Sequence, residues 1–72
     1  MYTKYTEVMF LNKIKDIRKQ KKLSLRDLEK LTNVSFSYLW QLENDIAKNP
    51  REGVKIMIAK GLKVPVQELF FN

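Results

Sequence analysis

The chain has 72 residues, a net charge of +6, and neither cysteine nor histidine. That composition excludes a disulfide framework and any Cys/His zinc site, and it leaves no histidine for acid/base work. The length admits a single domain with a modest core; no apolar run reaches membrane-spanning length, and the opening MYTKYTEVMF has no signal-peptide apolar core, so a cytoplasmic chain is expected.

Residues 1–10 show no clear period, but Tyr2, Tyr5, Val8 and Phe10 are too apolar for a free tail. They are expected to form an N-terminal arm packed in part on a domain that spans 11–72. Helix 1 is predicted from Leu11 to Lys21, with Leu11, Ile14 and Ile17 on one face. Helix 2 is predicted from Leu25 to Thr32. Its start is written by Ser24 with Asp27 three residues on, a capping-box pattern, and by Leu23 and Leu28 at the spacing of a hydrophobic staple. Leu25, Leu28 and Leu31 are expected inward. Asn33 follows, the non-glycine type that best tolerates a left-handed backbone. The same grammar then repeats: Ser35 is a second cap, and Val34 and Leu39 form a second staple. Helix 3 runs from Phe36 to Asn44 with Leu39 and Leu42 inward. Two helices taken through so tight a corner cross steeply, as in a helix-turn-helix, whose second helix commonly lies in the DNA major groove.

A loop from Asp45 to Pro50 follows, with Asp45 as a left-handed stop. Pro50 is read as opening helix 4, which reaches Leu62 and presents Val54, Ile58 and Leu62 inward. Pro65 opens a last short helix, Val66 to Phe71. No strand alternation is present, so the fold class is all-α, a five-helix domain. Two features of charge stand out. Residues 13–26 carry Lys13, Lys15, Arg18, Lys19, Lys21, Lys22 and Arg26 against Asp16 alone, while the rest of the chain is neutral; such a segment suits a polyanion or, equally, a solvated helix face. Arg18 and Glu43 each fall on the apolar stripe of their helix. Either they pair with each other and tie helix 1 to helix 3, or both reach out to solvent at the core's edge.

The motifs in order are IKDIRKQKK, LSLRDL, VSFSYLWQLE, NP and IAKGLKVPVQELF. Together they resemble the Cro/cI-type (XRE) helix-turn-helix family from about Ile14 to Phe70. Loop length and the YLxxLE segment are similar to SinR-like repressors; IAKGLKV and the extended N-terminus are similar to the controller proteins of restriction–modification systems. The resemblance implies a compact lambda-repressor-like domain whose inter-helix ion pair is Arg18 with Glu43. It implies base contacts from the recognition helix at Phe36, Ser37, Trp40 and Gln41. It implies phosphate contacts from Ser24, Ser35, Tyr38, Asn44, Lys48 and Arg51, the exposed amides at the starts of helices 2 and 3 also suiting phosphate oxygens. No catalytic residue, metal or cofactor is implied.

The chain departs from the family pattern at five positions. Leu25 replaces a glutamine that commonly touches phosphate. Glu29 replaces a small alanine facing helix 3, so packing there must open or Glu29 must swing outward. Lys63 stands at a helix end where glycine is usual. Phe36 and Trp40 put aromatic surface on the face expected to meet DNA. For Trp40 three placements stay open: against thymine methyls and sugars, under a partner protein, or folded down on helix 2 near Glu29. The leading expectation is a sequence-specific regulator of double-stranded DNA, a repressor of bacterial, phage or mobile-element origin. It is expected to read a pseudo-palindromic operator as a homodimer joined through Val66, Leu69, Phe70 and Phe71. The competing expectation is a protein-interaction module, antirepressor-like, that kept the fold and lost DNA binding; a regulatory protein partner is compatible with either. An enzyme is not expected, because no nucleophile–base pair, metal cluster or phosphate-cradling glycine loop is written in the chain.

Overall fold

In the computed structural model, residues 12–70 are described. The expectations for the arm (residues 1–10), Leu11 and Phe71 lie outside that range. Five helices follow in order: α1 (Ile14–Gln20), α2 (Leu25–Thr32), α3 (Phe36–Glu43), α4 (Glu52–Leu62) and α5 (Val66–Leu69). Helix α2 packs on α3 and α4, α5 packs on α4, and α1 packs on α3. Ile14, Leu28, Leu39, Leu42, Ile58, Leu62 and Leu69 are wholly buried between them, and every helix contributes to that one core.

Local chemistry sets most of the boundaries. Ser24 Oγ accepts from the Asp27 amide at 3.0 Å, and Asp27 Oδ2 accepts from the Ser24 amide at 2.9 Å. This reciprocal box satisfies two donors that the first turn of α2 leaves open. The helix ends at Asn33, which is left-handed at φ 64° and whose amide donates to the Glu29 carbonyl. Ser35 opens α3 by accepting from the Tyr38 amide at 3.2 Å. Asp45 is left-handed, at φ 59°. Lys63 takes the same conformation at the end of α4, φ 61°, although it carries a Cβ.

Four expectations require correction. Helix α1 begins at Ile14, because Asn12 and Lys13 are engaged elsewhere. Asn12 Oδ1 accepts from the Ile14 amide, Asn12 Nδ2 donates to the Leu42 carbonyl, and the Lys13 amide donates to the Leu69 carbonyl at 2.8 Å. An isolated antiparallel bridge joins Asn12 to Phe70. Helix α4 begins at Glu52, with Arg51 extended as its cap, so Pro50 belongs to the preceding loop. Leu31 is 53% exposed rather than inward. It lies roughly a quarter turn off the buried stripe that Leu25, Leu28 and Thr32 define. Thr32 is buried in its place, its hydroxyl donating to the Leu28 carbonyl and accepting from the Val34 amide.

The fourth correction concerns the dimer seam. Leu69 is wholly buried and Phe70 is 8% exposed, both inside the monomer core, while Val66 is half-buried against it. The backbone pairing of Asn12 and Lys13 with the end of α5 draws Phe70 inward. Leu69 and Phe70 therefore close the domain and are not available to a second copy.

Candidate nucleic-acid interface

The recognition helix is held from below and behind. Leu39 and Leu42 anchor it in the core. Glu43 anchors its last turn to α1 through a two-pronged ion pair: Arg18 Nε to Oε2 at 2.7 Å and Arg18 Nη2 to Oε1 at 3.0 Å. The remaining guanidinium nitrogen, Nη1, donates to the Leu23 carbonyl at 2.8 Å. The Glu43 side chain is 2% exposed and that of Arg18 11%, so neither reaches for solvent. One fork therefore ties α1, the α1–α2 connection and α3 together, and it fixes the tilt of α3. At the other corner, a Cβ on Gly61 would run into Thr32 Cγ2. Only a glycine there lets α4 approach the end of α2 so closely.

The outward side of α3 then follows from its period. Ser37 is exposed, Trp40 is 46% exposed, and Phe36 and Gln41 are half-buried. These four line one shallow, open depression. Trp40 thus stands on the outer face and does not fill the space beside Glu29. Asn44 is exposed at the helix end, its Nδ2 donating to the Trp40 carbonyl at 2.9 Å; a second N–H and the amide oxygen remain for other partners. Lys48 and Arg51 are exposed in the loop and at the cap of α4. That loop is folded against α3, since the Ile46 and Ala47 amides both donate to the Gln41 carbonyl. Tyr38 is half-buried and packs against the core. Ser24 and Ser35 use their hydroxyl oxygens as acceptors within the caps, and the O–H of Ser35 remains able to donate outward.

Electrostatics at the start of α3 differ from expectation. Glu29 does not swing away from α3. Its Oε2 accepts from the Phe36 amide at 2.9 Å. Its Oε1 lies 3.4 Å from Arg26 Nη1, and the Arg26 guanidinium sits 4.3 Å from the centre of the Phe36 ring. The positive end of α3 is therefore met by a carboxylate of the same chain, and the Phe36 amide is not open to a phosphate. At the start of α2 the Asp27 carboxyl is held below its ordinary value of 3.8, first by the bond from the Ser24 backbone, then by the Ser24 hydroxyl and Lys30. Arg26 and Glu29 were not among the candidate site residues. The signal for them was present as an acid in place of a small residue, seven positions before the first residue of the recognition helix.

Among the described residues no helix is long and apolar enough to cross a membrane. A family model for the helix-turn-helix matches residues 14–69, from the first residue of α1 to the last of α5. No curated protein matches the sequence. The chain belongs to the XRE-type helix-turn-helix family, a family of DNA-binding transcription regulators with a lambda-repressor-like all-α fold.

Proposed function

We propose that this protein is a sequence-specific repressor that reads double-stranded DNA with α3. The observation that carries the reading is the arrangement of α3 itself. A rigid helix is pinned by Leu39, Leu42 and the Arg18–Glu43 fork, and its opposite side offers Ser37, Trp40 and Gln41 to solvent. Ser37 and Gln41 can donate to and accept from base edges, Gln41 being able to address adenine through two bonds. Phe36 and Trp40 supply apolar surface for thymine methyls. Lys48 and Arg51 act on phosphates as charges, while Ser24, Ser35, Tyr38 and Asn44 act as hydrogen-bonding groups that set register.

Two copies on a pseudo-palindrome would place their α3 helices in successive major grooves, about one helical turn apart. Such pairing leaves Leu69 and Phe70 in their own cores. Selection from a random duplex pool tests the reading directly. The expected product is a two-fold symmetric motif, bound with a steep negative dependence on salt. No enrichment, with no measurable affinity for any duplex at low salt, would overturn it and turn attention to a protein ligand for the exposed Trp40. Within the motif, Gln41→Ala should relax one base position, and Lys48→Ala should weaken all sequences alike.

A further inference from the structure

The start of α3 carries a clasp built from three side chains on two helices. Arg26, on α2, lies over the ring of Phe36, 4.3 Å from its centre. Glu29, one turn further along α2, holds Arg26 Nη1 at 3.4 Å through Oε1 and caps the Phe36 amide at 2.9 Å through Oε2. Phe36 in turn lines the open depression with Ser37, Trp40 and Gln41. The Arg26 side chain is nonetheless 69% exposed. An arginine whose purpose was to close this corner would be covered. One meant only to attract phosphate would gain nothing from a carboxylate that cancels its charge. An oriented, neutralised and exposed fork suits a different task. It keeps the directional donors of the guanidinium and spends little entropy on aiming them.

We propose that Arg26 is a specificity-determining residue that reads a guanine, through O6 and N7, at the edge of the half-site next to Phe36. Glu29 is its positioning residue, and Phe36 is the shelf on which it rests. The placement also suits the sequence around it. Leu25, its neighbour, is turned toward the core, so the first turn of α2 addresses DNA through Arg26 instead. The inference rests on the DNA-reading function proposed above and adds one residue and one base to it.

The test is selection from a random duplex pool with the intact chain, its Arg26→Ala and Arg26→Lys variants, and Glu29→Gln. The glutamine oxygen can still accept from the Phe36 amide, so that variant keeps the cap and loses the charge that orients Arg26. The wild type is expected to demand guanine at one position per half-site. Arg26→Ala should erase that preference, with a loss on the order of tenfold on the selected site. Its salt slope should be nearly unchanged. Arg26→Lys should not restore the preference, and Glu29→Gln should weaken it while leaving the other motif positions intact. Replacing that guanine by 7-deazaguanine should cost the wild type affinity and leave Arg26→Ala indifferent. A motif that Arg26→Ala leaves unaltered overturns the proposal. So does a uniform loss on all sequences with the salt slope reduced by about one, the signature of a phosphate contact. In both of those outcomes the wild type still selects a motif; failure of the wild type to select any motif sinks the DNA-reading function itself.

Discussion

Arg18→Ala removes the one cation that, among the described residues, lies within ion-pairing distance of the Glu43 carboxylate, whose side chain is 2% exposed. Three losses follow together. Glu43 is left without its partner in a place that is largely closed to water. The Leu23 carbonyl loses its guanidinium donor. The α1–α3 seam loses the apolar stem of the arginine. Breaking a buried pair in this way costs about 3–5 kcal/mol, mostly as the penalty on the stranded partner. A domain of this size has a total stability of about 4–11 kcal/mol. The substitution therefore removes a large part of it. At about 4–8 °C per kcal/mol, a loss of 3 kcal/mol lowers Tm by roughly 12–24 °C. Urea unfolding followed by far-UV circular dichroism, with the slope checked for constancy, reads the change. Two further variants identify its origin. Arg18→Lys keeps a charge but not the fork or the Leu23 bond, and it should recover only part of the loss. The double variant Arg18→Met with Glu43→Leu removes both charges and should be far more stable than Arg18→Ala. A loss below about 0.5 kcal/mol for Arg18→Ala, the range of an exposed pair, would refute the claim that this fork holds α3 in place.

Lys63→Gly should stabilise the domain by about 0.5–1 kcal/mol, because φ 61° costs a residue with a Cβ and not a glycine; a lower urea midpoint would contradict this. Gly61→Ala should do the opposite. Its gain in helix propensity, about 1 kcal/mol, is outweighed by a clash with Thr32, whose hydroxyl is bonded to Leu28 and cannot swing freely, so a net loss of about 1–2 kcal/mol is expected. Adding Thr32→Ser, which removes Cγ2, should return part of that loss, and no recovery would show that the clash lies elsewhere. The capping box of α2 should be acid-sensitive. Asp27 has a depressed carboxyl, so its contribution is fully present above the ordinary 3.8 and disappears as pH falls through the lower folded value. The difference in stability between the wild type and Asp27→Asn should be constant above that window and shrink below it. A difference that persists unchanged into strong acid would remove the charge from the account.

Much of the fold was legible because its signals are short-ranged. Ser24, Asp27, Asn33, Ser35 and Asp45 each act on amides or dihedrals within a few residues, where a side chain can reach nothing else. The stretches α2 and α3 accordingly lie within a residue of their expected ends. The outward direction of Ser37 was legible for the same reason, since Leu39 and Leu42 leave it no other; that Trp40 stands outward and not against α2 was decided by the structure. Leu31 departs from the expected inward face because a run at a spacing of three and one at a spacing of four do not follow the same line on a helix. Over two turns they diverge, and the buried hydroxyl of Thr32 took the inward place. Glu29 was recognised as out of pattern, yet its destination depended on the angle at which α3 starts, which no local rule supplies.

By itself the sequence determined the all-α class, the two caps with the tight corner between them, the concentration of positive charge in residues 13–26, and two charges on apolar stripes in need of partners. Only the tertiary structure decided which surfaces remain open. Asn12 reaches the Leu42 carbonyl 30 residues away, and the segment beside it pairs with the end of α5, so Phe70 belongs to the core. Glu29 closes the amide at the head of α3 and sets Arg26 above Phe36. Periodicity ranks side chains by their wish to be buried. Which of them succeed depends on what the rest of the chain brings against them, because burial and ion pairing are properties of juxtaposed segments and not of any one segment alone.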